Sequence, residues 1–314
     1  MGPMKIAVMG TGGVGGYFGG LLARVGHDVT FVARGPHLAA IQQKGLTVGS
    51  TNDGTFTVKA RALEDTTQAG EQELVLFAVK MYHNAGAIEA VHPMLGPDTV
   101  VLTLQNGIDN GDQLVQAFGQ ARVMIGSAYL EGRIKEPGIV TQAGPGAGDF
   151  GELKPGITQR GEKLLAVFQE AGCRIQLQEN MVGVLWKKFA YLSASAGMCA
   201  ASGATFGEMR SIPETREVIQ QAIEEALAVG RASGAPIMDD TLEWGLKALD
   251  NFPAQGMSSL AKDFMEGKPV ELEGLTGTVV RMGRQAGVPT PINDAIYAVL
   301  KPRAQRIEAA LNLV

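Results

Sequence analysis

The apolar run Lys5 to Met9 leads straight into Gly10-Thr11-Gly12-Gly13-Val14-Gly15, and a second apolar run, His27 to Val32, ends two residues before Arg34. A Gly-x-Gly-x-x-Gly turn between a strand and a helix suits dinucleotide binding. The first glycine makes the tight turn, Gly12 lets the backbone approach a pyrophosphate, and the helix N-terminus supplies free N–H groups and a positive dipole. Arg34 stands where such units often carry an acid for the ribose 2′-hydroxyl; a guanidinium there pairs a 2′-phosphate and predicts NADP(H). Lys80 and the trio Gln105-Asn106-Gly107 follow two further apolar runs, Leu74 to Val79 and Thr99 to Leu104. Each of these polar residues alone is as readily a solvated turn residue. Together, at the carboxyl ends of parallel strands, they outline a cofactor cleft. Hydride transfer to a carbonyl also requires an acid for the developing alkoxide, which the second half of the chain must supply.

The elements that position these residues follow from the pattern. With 42 glycines in 314 residues a glycine triplet alone is weak, but its flanks complete a strand, helix, strand unit: Lys5 to Met9, Val14 to Val25, His27 to Val32. Leu74 to Val79 and Thr99 to Leu104 are predicted strands around a helix from about Asn84 to Met94. Arg122 to Tyr129, Gly138 to Gln142 and Arg174 to Leu177 extend the sheet at one edge, and Gly144 to Gly151 is expected to be a glycine-dense loop. The fold class is α/β: a Rossmann-type doubly wound parallel sheet over residues 1–177, then an all-helical domain over residues 178–314. Helices are expected at Glu214 to Ala232 behind Ser211 and Pro213, at about Asp240 to Asp250, Gln255 to Gly267 and Glu271 to Ala286, and near the C-terminus.

Composition narrows the function. A hydrophobic content of 45% with 19% charged residues is that of a globular enzyme, and the net charge of −5 gives no electrostatic footprint for nucleic acid. Cys173 and Cys199 lack metal or disulfide spacing and are expected to be inert core thiols in a reducing cytoplasm. The four histidines form no ligand motif, so no metal is predicted. Residues 1–9 run into the first strand without a leader pattern. Phe189 to Ala204, rich in Ser, Gly and Ala, falls short of the roughly 20 strongly apolar residues of a membrane span and suits a packed core helix.

Four segments give the chain a resemblance to the ketopantoate reductase (2-dehydropantoate 2-reductase) family over almost its whole length. They are the glycine loop with Arg34, Gln105-Asn106-Gly107, Leu185-Trp186-Lys187-Lys188, and Ser258-Ser259-Leu260-Ala261-Lys262-Asp263 leading to Glu271. The resemblance implies NADPH-dependent reduction of 2-dehydropantoate to (R)-pantoate, a step of pantothenate and coenzyme A biosynthesis, by a cytoplasmic enzyme that forms a homodimer. It implies that Lys188 is the general acid, that Asn106 touches nicotinamide and substrate, and that Ser259 and Glu271 hold substrate and cofactor. Without it, Lys187 and Lys188 are a solvated basic pair at a helix start. Ser259-x-x-Lys262 imitates a β-lactamase nucleophile, but its companion Ser-Asp-Asn and Lys-Thr-Gly elements are missing.

One departure concerns the substrate. Positions four, seven and eight after Lys188 share its side of the helix. Pantoate-forming members place asparagines at the first and last, whereas this chain has Leu192, Ser195 and Ala196. Ser195 (or Ser193) is the expected polar replacement. Two alternatives stay open: a reductase for a more apolar 2-oxo acid or related carbonyl compound, and a non-catalytic NADP(H) sensor whose helical domain binds a protein.

Overall fold

The first strand, β1 (Lys5–Met9), buries Ile6, Ala7, Val8 and Met9 in succession, as expected of a parallel strand covered on both faces. The computed structural model describes residues 2–311, in two compact units. The first runs to Gln105 and resumes over Asn110–Met181; the second takes Asn106–Asp109 and the described residues from Val182 onward.

In the first unit β1 is followed by α1 (Gly13–Arg24), β2 (Asp28–Val32), α2 (Gly35–Lys44), β3 (Leu46–Ser50), β4 (Gly54–Val58), β5 (Arg61–Leu63), β6 (Gln72–Phe77), α3 (Asn84–Val91), β7 (Leu95–Thr103), α4 (Asn110–Phe118), β8 (Val123–Glu136), β9 (Ile139–Gly151), α5 (Gln159–Glu170) and β10 (Arg174–Gln178). The sheet order is β4-β3-β9-β8-β7-β6-β1-β2-β5, with β10 on β9. Neighbours from β8 to β5 are parallel, whereas β8–β9 and β3–β4 are antiparallel. Phe18, Leu21 and Leu22 of α1 pack with Phe31, Leu46 and Val48 in one apolar core. The register sets Met9 beside both Val32 and Phe77, so the chain leaves β1, β2 and β6 at one edge of the sheet.

Residues 144–151, expected as a loop, belong to β9, and 147–151 pair with β8 on one side and β10 on the other. Their glycines serve close backbone packing: a Cβ on Gly148 would meet the Ser127 carbonyl oxygen at 2.9 Å, and one on Gly151 the Gln178 carbonyl oxygen at 2.5 Å.

The second unit is built on α6 (Met181–Ser202), joined by α7 (Phe206–Ser211), α8 (Pro213–Ala232), α9 (Thr241–Asn251), α10 (Ser259–Met265), α11 (Thr276–Ala286) and α12 (Pro291–Ala310). The small residues of α6 let neighbours close in: a Cβ on Gly197 would lie 2.8 Å from Thr276 Oγ1 and 2.9 Å from an Ile296 methyl. The Glu225 carboxylate on α8 accepts from the Ile292 and Asn293 N–H groups at 2.8 and 3.0 Å, placing an anion on the positive end of α12. Two expected helices are shorter. α10 starts where the Ser258 hydroxyl accepts from the Ala261 N–H at 3.1 Å, and α11 starts at Thr276, leaving Glu271 in the turn before it, where Leu275 and Gly277 both bond back to the Leu272 carbonyl. Among the described residues no helix is long and apolar enough to cross a membrane, and no cluster of three or more His, Cys, Asp or Glu forms a metal site.

Candidate functional site

Three strand ends carry the first group of predicted residues. Gly10, with φ of +98°, turns the chain out of β1, a conformation side-chain-bearing residues rarely adopt. Gly12 caps α1 in extended conformation without a side-chain bond, and a Cβ on it would meet nothing within 4 Å. A helix start uncapped by any side chain, with open space over its N-cap residue, fits an anionic pyrophosphate. Gly15 is closed on the inner side, since its Cβ would lie 2.2 Å from the Gly10 carbonyl oxygen. Gly13 lies against Gly132 of β8, where a Cβ would sit at 2.1 Å. Thr11 is buried and spends its hydroxyl on the Val32 carbonyl at 2.9 Å; Val14 is half-buried.

Arg34 is exposed at the start of α2, and Lys80 is exposed at the end of β6, before the 3₁₀ turn Met81–His83. Burial holds the His83 imidazole below its ordinary pKa, and the Arg34 charge adds to that. The strand ends therefore carry positive potential, the setting a phosphate dianion requires.

Two contributors to this edge belong to no motif. His37, on α2, accepts the Gly138 N–H at Nδ1 (3.0 Å), so Nε2 carries the proton and donates to the Thr11 carbonyl at 2.8 Å. The ring thus ties the glycine loop to the β8–β9 turn. Burial holds its pKa below the ordinary value, against the opposing pull of the Thr11 carbonyl. A second tie is a set of amides: Gln105 donates to the Val79 carbonyl at 2.7 Å and to Asn84 Oδ1 at 2.8 Å, and Asn84 donates to Asn110 Oδ1 and Gln113 Oε1, each at 2.9 Å. Side chains that bond only after folding leave no spacing signal in the sequence.

The second group lies on the helical unit. The adjacent lysines of α6 diverge, as consecutive positions on a helix must. Lys187 Nζ bonds Asp240 at 2.5 Å and lies 5.8 Å from the Trp244 ring centroid. Lys188, half-buried, donates from Nζ to Asn106 Oδ1 at 3.1 Å. An ammonium only donates, so the amide oxygen must face it and the Asn106 NH₂ must point elsewhere. Glu271 is buried in the turn before α11, and Ser259 is exposed in the first turn of α10.

The structure buries most of the expected lining after Lys188. Ser195 is fully buried and donates to the Tyr191 carbonyl one turn back at 2.7 Å, and Ser193 donates to the Ala190 carbonyl at 3.2 Å. Ala196 belongs to the apolar core, and only Leu192 is partly exposed. The reason is packing: α6 is covered by its neighbours, so its small residues face them. Both cysteines are buried, and burial pushes the Cys173 thiol well up, away from reactivity.

The comparisons with known proteins agree over the whole length. Residues 6–155 match the family described as "Ketopantoate reductase PanE/ApbA" and residues 180–304 its C-terminal counterpart. A 2-dehydropantoate 2-reductase of Pyrococcus horikoshii is 27% identical over 96% of this chain and 97% of its own. A PanE/ApbA family ketopantoate reductase structure from Ralstonia eutropha is 32% identical, with a TM-score of 0.89, covering 97% of this chain and all of that one. D-mandelate dehydrogenase, solved with NADH and anilino(oxo)acetate, is 19% identical with a TM-score of 0.88 and shares the fold.

Proposed function

We propose, for a chain that belongs to the ketopantoate reductase family and is an oxidoreductase acting on a CH–OH group, that it reduces 2-dehydropantoate to (R)-pantoate with NADPH and that Lys188 gives the proton. The observation that carries this reading is the bond from Lys188 Nζ to Asn106 Oδ1 at 3.1 Å, between residues 82 positions apart.

The dinucleotide is assigned to the glycine loop Gly10 to Gly15, with the 2′-phosphate on Arg34 and with Lys80, Asn106 and Glu271 as further contacts. When bound, NADPH supplies the hydride that reduces the carbonyl carbon. The protein then has one task at the carbonyl oxygen. Lys188 donates a hydrogen bond to that oxygen as charge builds on it and transfers a proton from Nζ, leaving the alcohol and a neutral amine that water reprotonates. Asn106 keeps the ammonium oriented through Oδ1 and offers its NH₂ to the ligands. Ser259 and Glu271 are assigned to the substrate; Ser195, committed within its own helix, is left out.

Leu192 favours a second reading. A half-exposed leucine one turn past Lys188, where pantoate-forming members carry asparagine, suits a more apolar 2-oxo acid. A substrate panel with NADPH separates the two, and identification of pantoate as the product supports the first. Turnover of apolar 2-oxo acids well above ketopantoate supports the second, and tight NADPH binding without its oxidation by any carbonyl compound points to a sensor. Wild-type turnover that survives in Lys188→Ala refutes the assigned mechanism. A cytoplasmic homodimer belongs to the same proposal and is checked by sedimentation.

A further inference from the structure

The segment Asn106–Asp109 is grouped with the helical unit although β7 leads into it and α4 leads out. Three of its four residues are fastened there. Asn106 accepts from Lys188 of α6 at 3.1 Å, and Ile108 packs against the helical core. Asp109 Oδ2 accepts from Arg281 Nη2 of α11 at 3.1 Å, the same nitrogen donating to Thr278 Oγ1 one turn earlier at 3.0 Å. Gly107, with φ of +90°, turns the chain between the first two fastenings.

We infer that Arg281 is a positioning residue for the reduction: its ion pair with Asp109 fixes this short segment and so fixes the direction from which Asn106 Oδ1 holds the Lys188 ammonium. The inference rests on Lys188 being the proton donor. The Arg281 side chain is 45% exposed and that of Asp109 27%, and a pair this open adds little to folding stability. Its consequence is geometric. Asn106 and Asp109 are three residues apart in a segment with a glycine between them, so release of Asp109 leaves Ile108 as the one packed anchor beside Asn106 and loosens the amide. A half-buried lysine whose amide partner has shifted then gains alternative rotamers, and catalysis is sensitive to misplacement on the order of 1 Å.

The test compares Arg281→Ala, Arg281→Lys and Asp109→Asn with the intact protein. In Arg281→Ala and Asp109→Asn, kcat should fall about threefold to tenfold, while the NADPH Kd and the melting temperature stay within about twofold and two degrees of the wild type; Arg281→Lys should recover most of the loss. Acetylation of Lys188 by limiting acetic anhydride, followed by mass spectrometry, should accelerate in the two damaged variants relative to Lys247, a lysine paired with Glu243 on α9. This second readout needs no substrate, so it tests the pairing even where Lys188→Ala retains turnover and the proposed mechanism fails. Unchanged Lys188 acetylation and kcat in both damaged variants overturn the inference. So does a loss that lysine does not restore and that NADPH binding shares equally.

Discussion

The two groups of candidate residues are built in opposite ways. At the strand ends of the first unit the candidate surface is mainly backbone: the Gly10 turn, open space over Gly12 and an uncapped helix start, with Arg34 and Lys80 adding charge. On the helical unit the polar surface is side chain: Lys188, Asn106, Ser259 and Glu271 come from four separate stretches of chain. A backbone site requires that certain atoms be absent, and glycine at fixed spacing records that requirement in the sequence. A side-chain site requires only that packing deliver the right groups, and many sequences meet that condition.

The contrast predicts separable failures. Lys188→Ala should lower kcat about 10²- to 10⁴-fold, the usual contribution of a positioned acid, with NADPH affinity by fluorescence titration almost unchanged. Should NADPH binding collapse as well, the separation is wrong. Arg34→Ala should weaken NADPH about ten- to a hundredfold, the value of a charge-assisted contact, and leave NADH affinity as it was; equal loss for both nucleotides removes Arg34 from the 2′-phosphate. Gly15→Ala places a carbon against the Gly10 carbonyl oxygen and should cost about 1–3 kcal/mol of stability, seen as a lower melting temperature together with weaker binding of both nucleotides. An unaffected variant shows that the loop adapts and is not defined by its backbone.

The smallest effect is expected from pH. His37 accepts at Nδ1 from Gly138 and is held neutral by burial, whereas a protonated ring has no acceptor to offer. Its folded pKa lies below its unfolded one, so the unfolded chain binds the extra proton first. Stability is therefore undiminished above about pH 6.5, the unfolded value, and declines as pH falls below it. His37→Gln, whose amide can replace one of the two bonds, should flatten that decline in denaturant titrations at pH 7 and 5.5. An unchanged slope assigns the decline to another group.

The sequence displayed the first site more fully than the second for these reasons. The strand, helix, strand frame from β1 to β2 is visible in apolar pattern and glycine spacing, and helix α8 announces itself through Pro213 at its start. The hairpin β3–β4 is encoded in Thr47, Val48, Thr55 and Thr57 around Asn52-Asp53-Gly54, a local signal that a strand-helix alternation does not predict. β9 defeats composition, because glycine marks a loop and a crowded strand alike. Helical periodicity placed Ser195 beside Lys188, but on a helix surrounded by others the same face can turn inward, and whether it does depends on residues such as Gly197 and Thr276, 79 positions apart. Lys188 became identifiable through family resemblance, since its bond to Asn106 spans 82 positions.

The four residues Asn106–Asp109 bear on how such proteins can be recombined. A graft of residues 182–314 onto the nucleotide-binding half of a relative would import the lysine, Glu271 and Arg281 but inherit its amide and its acidic partner from the recipient. Chimaeras in this fold are thus compatible only when donor and recipient agree at 106 and 109, and a crossover placed at the obvious boundary before α6 divides one working part between two parents.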